Sequence, residues 1–378
     1  MPKPKRILIA IDHASTGGCQ EVIKTWLVYL CKHNLDLFVV VLHGKGEYIK
    51  LYQELGIKTI SLSNYKYNPI IILKFFFIIK NFKPDVIHNN LVISSILGSL
   101  FGKFLSINKI IVHVQTEMPL RGAYRYLKSI YKRSVKSSHL IIAVSDKVKF
   151  NLIKYYEFPE NKITILANTY NINIKQKQPE FIKRLREQFG LPKNALIFGT
   201  SGTLIYYKNH ELAINAINEI VKSQKNIYLF IAGEGPDREM LEELVEKHDL
   251  TDHVFLLGKL PHSDTDFPNY NTFIHMLDAF ILSSKIEGFP LVALEAMYAK
   301  KFVIAAKVSG IETNFIHEKE ILSFDIDNQK QLVSCLNQRI KMNEDEVLQI
   351  TKAAHEKVSN NFGPEHIVEC LLKFYTND

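Results

Sequence analysis

The stretch Ser283-Ser-Lys-Ile-Glu-Gly-Phe-Pro-Leu-Val-Ala-Leu-Glu-Ala-Met297 joins an apolar run to a segment of good helix formers. The apolar run, Ala279–Ser283, has the length and composition of a buried strand. Pro290 fits the first position of the helix that follows. Glu287 therefore lies on the connecting loop, and Glu295 lies within the helix. The stretch predicts one strand–loop–helix unit of a parallel sheet.

The loop of this unit combines two kinds of binding group. The first-turn amides of Phe289, Leu291 and Val292 would donate to an anion. The carboxylates of Glu287 and Glu295 would accept hydrogen bonds from hydroxyls, so a polyhydroxylated ligand with phosphates fits both. Two alternatives stay open. The carboxylates could form a glycosidase-like pair, although the anion-binding helix end argues against it, or Glu287 could stabilise the helix dipole while Glu295 is a surface acid.

Short β-branched runs alternate with amphipathic segments on both sides of this stretch, which is typical of βαβ units. In the second half the predicted elements include Leu196–Thr200, Asn209–Ser223, Ile227–Ala232, Glu239–Lys247, Val254–Leu257 and Phe302–Ala306. In the first half they include Ile7–Ile11, Gly18–His33, Leu37–Leu42, Val86–Asn89, Lys109–Val114, a basic helix near Gly122–Ser137, and Leu140–Val144. A polar stretch without periodicity, Asn168–Pro179, separates the halves. The pattern predicts an α/β protein with two doubly wound parallel sheets.

Composition excludes several classes of protein. The 378 residues are 47% hydrophobic and 23% charged, which excludes a disordered, collagenous or coiled-coil chain. The four cysteines form no CxxC pair, so we expect no disulfide scaffold or zinc site and a reducing cytoplasm. The most apolar stretch, Ile70–Ile79, is interrupted by Lys74 and has about half the length needed to span a bilayer. The apolar run at the start, Ile7–Ile11, is too short for a signal-peptide core.

Charge is distributed unevenly along the chain. Residues 1–170 carry 24 Lys and Arg against 10 Asp and Glu, whereas residues 171–378 carry 23 against 29. The first half therefore suits an anionic partner such as a membrane surface, phosphate groups or nucleic acid. Nucleic acid is disfavoured, because the basic residues belong to no recognisable RNA- or DNA-binding module.

Small-residue loops follow several predicted strands, where doubly wound sheets bind ligands. The loop His13–Cys19 contains Gly17 and Gly18, which either admit a phosphate or sugar or form a tight turn. A second loop precedes Lys208, whose ammonium could neutralise a diphosphate or be solvated beside an N-cap Asn209.

These motifs together resemble the retaining GT-B glycosyltransferases of family 4. The resemblance rests on Glu287-x7-Glu295 with Glu-Gly-Phe-Pro-Leu-Val-Ala-Leu-Glu-Ala-Met around it, and on Leu140-Ile-Ile-Ala-Val-Ser-Asp, Ile165-Leu-Ala-Asn and Gly233-Glu-Gly-Pro in the expected order. It covers nearly the whole chain and is most specific between Leu196 and Gly310.

The resemblance implies the GT-B fold, with two Rossmann-like domains facing across a cleft. Residues 1–170 would be the acceptor domain, residues 171–360 the nucleotide-sugar donor domain, and residues 361–378 a C-terminal helix crossing back to the first domain. Glu295 would bind the ribose and Glu287 the sugar, while Lys208 would meet the diphosphate. The other donor-binding residues that the resemblance implies are Gly288, Phe289, Pro290, Leu291, Thr203, Gly233, Gly258, Gly17 and Gly18.

Several positions depart from the family pattern. Thr203 stands where the family usually has Arg, five positions before the Lys, which removes one diphosphate cation. Gln115 replaces the common His after the strand near Ile110, with His113 two residues earlier; both are candidate catalytic residues. Lys300 and Phe302 stand where Gly and Pro are frequent. These departures leave open a catalytically weak or inactive GT-B partner subunit that binds nucleotide or glycan.

The basic first domain would receive the acceptor. The candidate acceptor and membrane surface comprises His13, Arg121, Arg125, Lys128 and Lys132, with further lysines around the Phe75–Phe77 cluster. A basic and aromatic surface favours peripheral association with anionic lipid and an acceptor such as a polyprenyl-diphosphate saccharide. The alternative is that Phe75–Phe77 are core residues and the cations are merely solvated.

The reaction implied by the resemblance is transfer of a hexosyl or N-acetylhexosaminyl group from a nucleotide-sugar in bacterial surface-polysaccharide assembly. The usual donors of the family imply that the nucleotide is UDP. Retention would proceed by same-face attack, with the departing phosphate assisting deprotonation of the acceptor. No metal or other cofactor is expected, because no DxD-like motif has a convincing context; Asp325-Ile-Asp327 lies away from the expected site.

Overall fold

The computed structural model describes residues 3–15, 17–66, 68–117, 126–171, 174, 179–261 and 268–376. The chain divides into two compact units, unit 1 with Met1–Thr169 and Phe362–Asp378, and unit 2 with Tyr170–Asn361. The boundaries expected at residues 170 and 360 lie within one residue of these limits. Among the described residues, no helix is both long and apolar enough to cross a bilayer.

Unit 1 is built on a seven-stranded parallel sheet. Its strands are β1 (Lys5–His13), β2 (Leu35–His43), β3 (Lys58–Ser61), β4 (Val86–Asn90), β5 (Lys109–Val114), β6 (Leu140–Ala143) and β7 (Ile163–Ile165). Its helices are α1 (Gly18–Leu30), α2 (Glu47–Glu54), α3 (Ile70–Phe82), α4 (Val92–Phe104), α5 (Lys128–Lys136), α6 (Asp146–Tyr156) and, from the end of the chain, α14 (Pro364–Thr376). The strand order is β3-β2-β1-β4-β5-β6-β7, so β1 is the strand at which the winding reverses.

Unit 2 repeats this architecture with six parallel strands. They are β8 (Leu196–Ser201), β9 (Ile227–Ala232), β10 (Val254–Gly258), β11 (Ala279–Leu282), β12 (Phe302–Ala306) and β13 (Leu322–Phe324). The helices are α7 (Pro179–Gln188), α8 (His210–Val221), α9 (Arg238–Lys247), α10 (Tyr270–Met276), α11 (Leu291–Tyr298), α12 (Gln329–Lys341) and α13 (Glu344–Phe362). The order β10-β9-β8-β11-β12-β13 confirms the predicted doubly wound sheets and places the reversal at β8.

The sheets are buried because βαβ crossovers cover their faces with helices. In unit 1 the cluster on one side of the sheet joins Leu8, Phe38 and Val40 of the strands to Phe75 and Ile79 of α3. These two residues of α3 are four apart and lie on one helix face.

The C-terminal helix α14 packs within unit 1 against α1. Its Tyr375 is fully buried, and the hydroxyl lies 2.7 Å from Nδ1 of His88 on β4. The end of the chain therefore completes the core of the first domain.

Three helices of unit 2 start one residue away from their predicted positions. Helix α8 begins at His210 instead of Asn209, and α9 begins at Arg238 instead of Glu239. Pro290 is the N-cap of α11, which begins one residue later at Leu291. The start predicted near Gly122 for the basic helix lies outside the described residues, and α5 spans Lys128–Lys136.

The backbone conformation of Lys300, just after the end of α11, is one that glycine adopts more easily than lysine. Its φ is 57°, in the left-handed region that costs a side chain roughly 1 kcal/mol. Its side chain is exposed, so no packing depends on it.

Lys300→Gly should therefore raise the free energy of unfolding of unit 2 by about 0.5–1 kcal/mol, because glycine adopts this φ without steric cost. The measurement is urea denaturation followed by far-UV circular dichroism. Lys300→Ala is the matched control, since it removes the same side chain but keeps the Cβ that clashes. Equal stability changes in both variants would show that the backbone conformation is not the cause.

Candidate functional site

The loops after β8 and β11 converge at the carboxyl edge of the unit 2 sheet. These two strands are neighbours, and β8 is the strand at which the order reverses. Ligands of open α/β sheets bind beyond the carboxyl ends of strands at this position. The first loop carries Thr203 and Lys208, and the second carries Glu287.

Lys208 and Glu287 are brought together by these loops, although 79 residues separate them in sequence. Nζ of Lys208 donates to Oε1 of Glu287 at 2.6 Å. The same oxygen accepts from Oγ of Ser284 at 2.7 Å. Both charged side chains are largely shielded from solvent. The arrangement fixes a cation and a carboxylate side by side, as recognition of a charged polyhydroxylated ligand requires.

Backbone and side-chain hydrogen bonds hold the two loops in register. The hydroxyl of Ser283 donates to the carbonyl of Lys208 at 3.1 Å, and the amide of Lys285 donates to the carbonyl of Tyr207 at 2.8 Å. The position of Lys208 relative to Glu287 therefore does not depend on their ion pair alone.

The loop after β9 packs against the loop after β8 and needs glycine to do so. A Cβ on Gly233 would lie 1.9 Å from the carbonyl oxygen of Gly202. The amide of Gly233 also donates to the carbonyl of Gly258 at 2.8 Å. Gly258 has φ 76°, so it adopts the left-handed turn that ends β10. Thus two of the predicted donor-binding glycines of unit 2, Gly233 and Gly258, lie in one cluster of loops.

The start of α11 is anchored by Phe289. This side chain is buried, and a Cβ on Gly310 would lie 2.6 Å from its ring. Gly288 and Pro290 are also buried, whereas Leu291 is half-buried. Because Pro290 is the N-cap and has no side-chain oxygen, its side chain cannot satisfy the first amides of the helix.

Glu295 lies one turn and a half into α11 and is only 3% exposed. The surface-acid alternative for this residue is therefore wrong. Oε2 accepts a hydrogen bond from the hydroxyl of Tyr270 at 3.1 Å, and that hydroxyl lies 3.1 Å from Oγ of Ser201. A buried carboxylate held in this way is oriented before any ligand arrives.

Two residues of this site were missed by sequence reasoning. Tyr270 sits at the start of α10 and has no motif around it. Lys285 lies two residues before Glu287 and lies over the ring of Tyr206 at 4.3 Å. It forms an ion pair with Asp327 at 2.9 Å, so the expectation that Asp327 lies away from the site is wrong. Burial disfavours the charge of the lysine, but hydrogen bonds with Asp327 and Tyr206 outweigh burial and raise the pKa of Lys285. The signal available in the sequence was that Lys285 lies within the stretch Ser283–Met297.

The candidates of unit 1 lie at the carboxyl edge of its own sheet. His13 is half-buried, with Nδ1 2.7 Å from Oγ of Ser15 and 3.2 Å from Nε2 of Gln20. Gly17 is extended, and Gly18 begins α1. Gln115 follows β5 and donates from Nε2 to Oδ1 of Asn90 at 3.3 Å. None of these contacts identifies a ligand.

His113 differs from the expected cleft residue because β5 directs it into the core. Its ring is buried and stacks on Trp26 and His88, with centroid distances of 5.1 and 5.4 Å. Within the described part of the chain, neither ring nitrogen has a hydrogen-bond partner. Burial, together with the neighbouring His88, lowers the pKa of His113 well below its usual range. A neutral ring packed in this way cannot touch a substrate without leaving the core.

The basic acceptor surface is only partly described. Arg121 and Arg125 lie outside the described residues. Lys128 is exposed at the start of α5, and Lys132 forms an ion pair with Glu157 at 2.6 Å. In the described ranges, no group of three or more His, Cys, Asp or Glu side chains could hold a metal ion; metal independence itself stays a prediction.

Two family models match the chain along most of its length. Residues 16–173 match the model described as Glycosyltransferase Family 4. Residues 181–357 match the model described as Glycosyl transferases group 1.

The chain is also similar to individual glycosyltransferases. It is 27% identical over 231 residues to an uncharacterised glycosyltransferase of Methanocaldococcus jannaschii, covering 58% of this chain and 55% of that protein. It is 22% identical over 238 residues to the phosphatidylinositol N-acetylglucosaminyltransferase GPI3 subunit of Saccharomyces cerevisiae, covering 63% and 50%. The chain thus spans about half the length of these relatives. The crystal structure of Anabaena Alr3699/HepE in complex with UDP superposes with a TM-score of 0.84 at 17% identity, covering 99% of this chain and 100% of that one.

The burial of His113 and His88 makes unit 1 sensitive to acid. Burial lowers the pKa of His88 to about 3, from an ordinary value of 6.5. Between these values the unfolded chain binds more protons than the folded chain, so stability falls as pH falls below about 6.5. Each histidine contributes a slope of up to about 1.4 kcal/mol per pH unit.

His113→Phe keeps a stacked ring but cannot titrate, so the slope of unfolding free energy against pH should fall by up to about 1.4 kcal/mol per pH unit between pH 6 and 4, which is the contribution of one proton. Emission from Trp26, the single tryptophan, reports unfolding of this unit. An unchanged slope would mean that His113 titrates as an open, solvated group.

Proposed function

The chain belongs to the group 1 glycosyltransferases with the GT-B fold, and we propose that it moves a sugar from a UDP-sugar to a glycan or lipid-linked saccharide with retention of configuration. The observation that carries the proposal is the 2.6 Å pair of Lys208 and Glu287 beside the start of α11. The UDP bound to Anabaena HepE supports a uridine nucleotide as the donor. The name of the yeast relative, which includes phosphatidylinositol, supports a lipid-linked acceptor.

The phosphates of the donor would be held by Lys208 and the first amides of α11. An ammonium has three N–H donors, so Lys208 can keep its bond to Glu287 and still donate to a phosphate oxygen. The aligned amides of the helix add partial positive charge at the same place. Both would stabilise the negative charge that grows on the diphosphate as it departs.

The two carboxylates, Glu287 and Glu295, would bind the hydroxyls of the sugar and of the ribose. Glu287 would accept hydrogen bonds from hydroxyls of the transferred sugar. It would use the lone pairs that are not engaged by Lys208 and Ser284. Glu295, oriented by Tyr270, would accept from the ribose hydroxyls. A carboxylate fixed in advance binds a diol with little loss of side-chain entropy.

The transfer step would take place on one face of the sugar. The bond from the anomeric carbon to the phosphate oxygen breaks, the acceptor oxygen forms its bond on the same face, and the acceptor proton passes to the departing phosphate. The protein then needs to orient both substrates and to supply the field around the leaving group. No metal is assigned to this step. The transferred group can be a hexosyl or an N-acetylhexosaminyl group, since the same step describes both. A cytoplasmic location and a part in bacterial surface-polysaccharide assembly remain predictions from the sequence.

A catalytically weak or inactive partner subunit is the second candidate function. It is favoured by Thr203, which is exposed and carries no charge where the family usually has a diphosphate cation. Such a protein would bind nucleotide or glycan without turnover.

Lys208→Ala should weaken UDP binding about 10- to 100-fold, because a hydrogen bond to a charged group contributes about 1.5–3 kcal/mol. The measurement is isothermal titration calorimetry in buffer containing EDTA, with GDP and ADP compared. Lys222→Ala is the matched control, since this lysine directly follows α8 and forms an exposed pair with Glu219. No binding of any nucleotide to the unaltered protein, or equal losses in both variants, would refute the donor site.

Retention predicts that slow hydrolysis of UDP-[¹³C]glucose first releases the α anomer, which NMR resolves before mutarotation. First release of the β anomer would contradict the retaining mechanism. UDP binding with neither hydrolysis nor transfer to any saccharide acceptor would favour the partner-subunit function.

A further inference from the structure

The outward face of α3 is apolar where a surface helix is normally polar. Its inward face, with Phe75 and Ile79, packs in the core, while Leu73 and Phe77 point away from it and are 62% and 53% exposed. The predicted cluster of three phenylalanines is therefore divided between two faces. Phe75 is core, as the alternative held, whereas Phe77 is open to solvent.

The neighbouring helix α4 extends this surface. Its Leu100 and Phe104 lie four residues apart and are 42% and 75% exposed. Phe76 joins the two helices, because its ring lies 5.7 Å from that of Phe77 and 5.9 Å from that of Phe104. We call the set Leu73, Phe76, Phe77, Leu100 and Phe104 the α3–α4 surface. Contiguous apolar surface of this kind marks an interaction site.

The charged side chains that α3 and α4 carry are all positive. Lys80 and Lys83 lie at the end of α3, and Lys103 lies at the end of α4. Neither helix contains Asp or Glu, and residues 55–116 contain seven lysines with Asp85 as the single acid. Asp85 is engaged with the backbone amide of Arg6 at 2.8 Å.

Exposed aromatic and aliphatic side chains with a lysine rim favour the interface of an anionic bilayer. A second copy of the chain is a poorer occupant, because a symmetric contact would place the same lysines opposite one another. Long lysine side chains can also extend toward lipid phosphates while their neighbours enter the acyl boundary.

We propose that the α3–α4 surface docks the protein on an anionic lipid bilayer, with Phe77 and Phe104 inserted below the headgroups and Lys80, Lys83 and Lys103 on the lipid phosphates. This surface contains the part of the expected membrane surface that lies around Phe75–Phe77, adds α4, and does not include Arg121 or Arg125. It does not depend on the donor site.

The test is flotation of the full chain with vesicles of phosphatidylcholine containing 30% phosphatidylglycerol. The unaltered protein should float with these vesicles and at least tenfold less with pure phosphatidylcholine. Phe77→Ser/Phe104→Ser should lose at least tenfold of the binding. The matched control is Phe150→Ser/Tyr155→Ser on α6, whose residues are 55% and 53% exposed, and it should bind as the unaltered protein does.

Lys80→Glu/Lys103→Glu should also abolish flotation, whereas raising salt should weaken it progressively. Circular dichroism melts and UDP affinity, measured on every variant, should be unchanged, which separates this proposal from that of the donor site. Three results would overturn it: no flotation with anionic vesicles at low salt, equal losses in the test and control variants, or a dimer in light scattering that Phe77→Ser/Phe104→Ser dissociates.

Discussion

The adjacency of β8 and β11 is the constraint on which the candidate site depends. In a doubly wound sheet, strands distant in sequence become neighbours where the winding reverses, and the loops that leave them must then share one edge. Here that rule places Lys208 beside Glu287, with Ser284 on the same carboxylate oxygen. The loops after β8 and β9 also pack closely against each other at this edge. A Cβ at Gly233 would overlap the carbonyl of Gly202, so this packing requires glycine.

Burial divides the polar residues of the molecule into two kinds. Glu295 is buried yet bonded to Tyr270, so its carboxylate is oriented and ready for a hydroxyl. His113 is buried without a partner for either ring nitrogen among the described residues, so it acts as an aromatic core residue. This difference in hydrogen bonding separates a residue that can bind a ligand from one that only packs. A ligand-binding polar group must be oriented by its neighbours and must also be accessible to the ligand.

The sequence predicted the fold because alternating strands and helices carry their own periodicity. It also named Lys208, Glu287 and Glu295 as candidate site residues, but it did not predict that the first two touch, since that depends on strand order. His113 was misjudged because helices cover both faces of β5, so a side chain inside this strand is buried whichever face it points to. Phe75 and Phe77 were grouped together, although two helical positions differ by about 200° around the axis and so face opposite ways.

The central claim, that the Lys208 and Glu287 pair forms the donor site, is tested most directly by a double-mutant cycle on binding of UDP-glucose. The variants are Lys208→Met, Glu287→Gln and both together, with affinities from calorimetry. The account predicts that the two losses are not additive, with a coupling of at least about 1 kcal/mol, because the residues contact each other and the same ligand. Additive losses, or no loss in either single variant, would contradict it.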